Sequence, residues 1–76
     1  MKDILLSLIT SIVDNPDDVF VDETDEEGFV TLSVHVAQED MGKVIGKEGK
    51  VIRALRNAMK IPAMKAQKKV QIQLAE

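Results

Sequence analysis

Apolar residues Ile4, Leu5, Leu8, Ile9, Ile12 and Val13 recur at helical spacing near the start of the chain, while Lys2, Ser7, Thr10 and Ser11 fall off that stripe. Such a stripe marks an amphipathic helix with one face on a core. Asn15-Pro16 stops it, because the residue before a proline avoids helical backbone angles. The pattern therefore predicts a first helix over about Lys2 to Asp14. The period then changes to two. Val19 and Val21 alternate with Asp18, Phe20 and Asp22, an acidic segment from Glu23 to Gly28 reads as a turn, and Val30, Leu32, Val34 and Val36 alternate with Thr31, Ser33 and His35. Two strands joined as a hairpin are expected there.

The second half returns to helical spacing. Gln38-Glu39-Asp40 places acids at the start of a short helix, where they suit the positive end of the helix dipole. That helix carries Met41, Val44 and Ile45 and ends at Gly46. After the tight turn Gly46-Lys47-Glu48-Gly49, a third helix is expected with Val51, Ile52, Leu55, Ala58 and Met59 inward, stopping at or near Pro62. Lys65 to Lys69 reads as a basic connector, and Val70, Ile72 and Leu74 alternate with Lys69, Gln71 and Gln73 as a last strand. The order is α-β-β-α-α-β. Three strands with one apolar face need helices over it, so the fold class is α+β, a three-stranded sheet packed on one face by three helices.

Length and composition narrow the classes. At 76 residues the chain is read as one small domain, residues 1–76. It has no cysteine, so neither a disulfide framework nor a cysteine zinc site is available. No run approaches the ~20 apolar residues of a membrane helix, and the N-terminus lacks a signal-peptide pattern. We therefore expect a cytoplasmic protein with no membrane association. The net charge of −3 conceals a division: residues 1–40 carry eleven acids and one base, and residues 41–76 carry nine bases and two acids. A balance of −10 against +7 suggests a basic face for a polyanion, or two halves that attract each other in the fold.

The chemistry concentrates between Met41 and Ile52. Gly46 can take backbone angles barred to other residues, and Gly49 is expected to let a backbone approach the helix start. The third helix would present free N–H groups and partial positive charge at its N-terminus, which suits phosphate. Lys47 and Lys50 add mobile charge beside it. Other phosphate motifs fit less well: the spacing of Gly42 and Gly46 is one residue short of a P-loop, Glu48 stands where that motif has a hydroxyl residue, and no G-x-G-x-x-G follows a strand. No nucleophile, base and orienting group occur together, so no catalytic residues, metal ligands or cofactor are assigned. His35 is the single histidine and lies on the polar side of its strand, and the acids from Asp22 to Glu27 lack calcium-loop spacing. With only Phe20 and Phe29 as aromatics, recognition by base stacking is not expected.

Val44-Ile45-Gly46-Lys47-Glu48-Gly49-Lys50-Val51-Ile52, between two short helices, resembles the signature of KH domains, in which a GXXG loop clamps about four nucleotides. The element order is similar to the type II, or bacterial, KH arrangement. From Glu39 to Gly49 the chain looks like the KhpA family of small bacterial KH proteins. The resemblance implies a single-stranded RNA-binding protein, an RNA chaperone of broad specificity. It would pair with itself or with a larger KH-containing protein and be linked to cell elongation and cell-wall synthesis. It also implies an RNA site made of the loop Gly46, Lys47, Glu48 and Gly49, an apolar groove floor of Val44 and Ile45, and phosphate-flanking Lys43, Lys50 and Arg53. The stretch Pro62 to Gln67 departs from the family pattern in lacking a glycine, which bears on its geometry. A protein-interaction module that dimerises, with weak or partner-dependent nucleic-acid binding, is the alternative.

Overall fold

The computed structural model describes residues 1–75. Helix α1 (Lys2–Thr10) is followed by the hairpin strands β1 (Phe20–Glu26) and β2 (Phe29–His35), the short helix α2 (Met41–Ile45), the long helix α3 (Lys50–Lys65) and the strand β3 (Lys69–Ala75). The sheet runs β1-β2-β3, antiparallel between β1 and β2 and parallel between β2 and β3. A parallel pair cannot be closed by a hairpin. The chain makes the crossover through α2 and α3, and this places the glycine turn at the sheet end where β2 finishes. All three helices cover one face, as the patterning requires. The core joins Leu5 and Ile9 of α1, Val21, Val30, Leu32, Val34 and Ile72 of the sheet, and Val44, Ile52, Leu55 and Met59 of α2 and α3.

Five expectations about these elements are corrected. Helix α1 stops at Thr10, not Asp14. The Thr10 and Ser11 hydroxyls donate to the Ser7 and Leu8 carbonyls, and the Ile12 N–H turns back to Ile9. Side-chain hydrogen bonds of this kind compete with the helix ladder. Strand β1 runs through the acidic segment to Glu26, and the turn shrinks to Glu27-Gly28, both at positive φ. That geometry matches a two-residue hairpin turn whose twist suits the strands. Pairing with β2 over its whole length overrides the poor strand propensity of Asp22 to Glu26. Lys68 supports it by ion-pairing with Asp25.

Helix α3 continues through Pro62 to Lys65, and Ala58 faces solvent. Proline removes one helix hydrogen bond, but here it falls in the last full turn, where Ala63 is buried in compensation. The helix then closes with two bonds, Lys68 N–H to the Ala63 carbonyl (2.9 Å) and Gln67 N–H to that of Met64 (3.0 Å). This is the Schellman closure, and its left-handed position is Gln67, at φ +58°. The missing glycine of the sequence is thus located: glutamine occupies the site a helix end usually gives to glycine. Finally, a Cβ placed on Gly49 would meet nothing nearer than 3.9 Å. Gly49 serves a left-handed backbone angle and not a close approach.

Candidate nucleic-acid interface

The turn between α2 and α3 begins at Gly46, with φ +77° and ψ +172°. That region of backbone space is essentially restricted to glycine. A Cβ there would also lie 2.3 Å from Val51 Cγ2 and 2.7 Å from the Val51 backbone nitrogen. So the close approach in this turn belongs to Gly46, which packs against the first turn of α3. Gly46 N–H closes α2 on the Gly42 carbonyl at 2.8 Å, and Gly49 N–H returns to Gly46 O at 3.2 Å. Glu48 and Gly49 are both left-handed, at φ +58° and +74°. No side chain caps α3, and the Lys50 N–H turns back to the Lys47 carbonyl.

Around this turn the basic groups differ in availability. Lys47 and Lys50 are exposed and have no ion-pair partner among the described residues. Arg53 donates from Nη2 to the Glu48 carbonyl at 3.3 Å, bracing the left-handed peptide from the second turn of α3. Lys43 points elsewhere. Its ammonium ion-pairs with Asp14 on the α1–β1 connector, and this hydrogen bond holds it above the ordinary lysine value. Of the two apolar residues expected to line a groove, Val44 has no exposed surface and belongs to the core. Ile45 is exposed. It borders an open groove of about 680 Å³ with Val36, Gln38, Met41 and Ala75.

Two features escaped the sequence reading. The first is that groove: Val36 and Gln38 follow β2 on the way into α2, and the parallel pairing of His35 with Ala75 brings the end of β3 beside them. The second is Asp40, read only as a favourable helix start. Its carboxylate is fully buried. Oδ1 accepts the Asp14 N–H at 3.1 Å, while Oδ2 accepts the Asn15 N–H at 3.0 Å and Nδ2 at 3.1 Å. Burial pushes this carboxyl up, but the Asp14 and Asn15 donors and the Lys43 charge outweigh it and hold it below the usual value. Asp40 thereby fastens the α1–β1 connector to the base of α2, the helix that delivers Gly46. The one sequence signal was Asn15-Pro16, an irregular segment whose N–H groups need acceptors somewhere.

The aromatics lie on the open face of the sheet. Phe20 and Phe29 are 55% and 46% exposed, and Phe20 rests against His35 with ring centroids 5.3 Å apart. Asp22 and Glu26 share that face by register, which makes it a poor surface for a polyanion. Across the chain, Asp14–Lys43 and Asp25–Lys68 pair the acidic half with the basic half. The other bases of residues 41–75 have no such partner among the described residues.

Against this geometry, the model of the KhpA/KhpB KH domain matches residues 2–74. The chain belongs to the KhpA/KhpB KH-domain family. It is 43% identical to the RNA-binding protein KhpA of Clostridium acetobutylicum over 74 residues, covering 97% of this chain and 99% of that one. It is 40% identical to the RNA-binding protein KhpA of Bacillus subtilis, covering 97% and 91%. The likeness to KhpA thus extends well beyond the glycine turn, over α1, the hairpin and β3.

Proposed function

We infer that this KhpA-like chain, acting as one KH unit, binds single-stranded RNA at the Gly46–Gly49 turn. The observation that carries the reading is the turn itself. A glycine packed on Val51 and two left-handed residues set an uncapped sixteen-residue helix beside the unpaired Lys47 and Lys50. Backbone N–H groups and a helix N-terminus hold phosphate without reading sequence. Ile45 and its groove offer an apolar surface for bases. Arg53 acts by bracing the turn, and its guanidinium stays exposed enough to meet phosphate as well. Lys43 contributes only after leaving Asp14. The broad, backbone-directed grip fits an RNA chaperone and a binding module, not an enzyme. The absence of cysteine fits a reducing cytoplasm, and among the described residues no helix is long and apolar enough to cross a membrane.

The test is fluorescence anisotropy with a labelled unstructured RNA, comparing wild type with a Lys47→Asp/Glu48→Asp double variant. Aspartate tolerates the left-handed angle of position 48 better than most residues, so circular dichroism should show both folded. Loss of binding by the variant is the expected result. Equal binding by both would overturn the assignment. A second reading rests on α3, whose Ile61 and Met64 are 63% and 75% exposed. Apolar residues one turn apart on a basic helix suit a partner helix, either a second copy or a larger KH-containing protein of the KhpB (Jag, EloR) kind. The proposed link to cell elongation and cell-wall synthesis would run through such a pairing. Mass in solution, with and without RNA, tests it.

A further inference from the structure

Strand β1 is a free edge of the sheet, because the strand order is β1-β2-β3. Six of its seven residues are exposed, and Val21 alone is buried. Beyond Val21, both faces of the strand therefore meet solvent. On the side away from β2, no other backbone hydrogen bond reaches β1 among the described residues. An edge of this kind presents a row of unpaired N–H and C=O groups to any extended chain.

The acids on β1 decide which chain fits. On the helix side, Asp25 is matched by Lys68, and Glu23 by the Met1 ammonium at 3.6 Å. On the open side, Glu26 has no cation among the described residues. Asp22 has only His35, whose Nε2 lies 3.5 Å from its carboxylate and is cationic only when protonated. Asp22 and Glu26 stand four residues apart on one face, so they call for two cations at that same spacing on an incoming strand. Phe20 shares the face, exposed, and gives the stems of those cations an apolar surface to lie on. A polyanion is repelled from this edge. Antiparallel pairing with a second copy of β1 would bring both sets of Asp22 and Glu26 to one face, and like charges across strands are destabilising. We propose that β1 is a docking edge for an extended peptide segment of a partner protein that carries two lysines or arginines four positions apart. The segment adds as a fourth strand: its main chain supplies the binding, and Asp22 and Glu26 select its charge. The proposal is independent of RNA binding at the Gly46–Gly49 turn.

The probe is a capped seven-residue peptide of valine and threonine with lysine at its second and sixth positions, matched to the length of β1. It is titrated at millimolar concentration into the full isotope-labelled chain and followed by NMR. Amides from Val21 to Glu26 should shift, and the β1 amides that exchange freely with solvent should become protected. An Asp22→Asn/Glu26→Gln variant should bind about threefold or more weakly, because two cross-strand ion pairs are lost. Both side chains are exposed, so the variant should fold, which circular dichroism checks. The same peptide with proline at alternate positions keeps its charge but loses N–H donors, and it should not bind. Equal binding by the proline peptide would mean diffuse attraction to the acidic half and overturn the proposal. Equal binding by a peptide with glutamate in place of lysine would overturn it as well. So would shifts centred on Ile61 and Met64 of α3, or no shifts at all.

Discussion

Replacing each glycine of the Gly42–Gly49 segment with alanine separates three kinds of glycine. At Gly46 the backbone lies at φ +77° and ψ +172°, a region that costs a side-chain-bearing residue about 1–3 kcal/mol. The new Cβ would also sit 2.7 Å from the Val51 backbone nitrogen, so relief requires α3 to move. Overpacking of this kind adds about 1–3 kcal/mol. The expected loss is therefore about 2–6 kcal/mol, against a total stability of about 4–11 kcal/mol for 76 residues. Gly49 has φ +74° and an open surround, so its alanine variant should lose only the left-handed penalty of about 1–2 kcal/mol. Gly42 is helical with nothing within 4 Å, and alanine there should stabilise by about 0.5–1 kcal/mol. Urea unfolding followed by circular dichroism, with a constant slope, gives the three values. The order Gly42→Ala above wild type, then Gly49→Ala, then Gly46→Ala is required. Gly46→Ala no worse than Gly49→Ala would refute the packing of the turn on Val51.

Other consequences concern stability. Because the Asp40 carboxyl is held below its ordinary value of 3.8 in the fold, its contribution is complete above that value and drains away as pH falls through the folded one. Asp25, lowered chiefly by its hydrogen bond from Lys68, adds to the same acid limb. Urea midpoints between pH 2 and 6 should therefore fall with acid in wild type, and Asp40→Asn should be weaker at pH 6 with a flatter limb. Gln67→Gly should stabilise by about 1 kcal/mol, since the left-handed helix-end position then carries no Cβ; a thermal midpoint that does not rise by a few degrees would contradict the Schellman geometry.

Most of the architecture was legible because each element had its own period. Leu5 and Ile9, the alternation of β2 and the stop at Gly46 all read directly from spacing. Two of the errors share a cause, which is that contacts across the fold overruled local preference. Acidic β1 is a strand because β2 pairs with it and Lys68 ion-pairs with Asp25. Helix α3 survives Pro62 because Ala63 reaches the core and Gln67 closes the end. The glycine turn could be found from sequence, since glycine spacing encodes backbone geometry locally. What spacing did not reveal was the direction of each lysine. Lys43 and Lys47 are alike in sequence, yet one is held by Asp14 across the fold and the other is free. Nor did it distinguish Val44, sealed in the core, from its neighbour Ile45.

The most direct test of the central claim is an NMR titration of the labelled chain with a short unstructured RNA, following every amide. The account requires the largest shifts from Ile45 to Arg53, centred on the amides of Gly46 to Lys50. Shifts concentrated instead on Phe20, Phe29 and His35, on the open face of the sheet, would place RNA recognition on the aromatics and contradict the account.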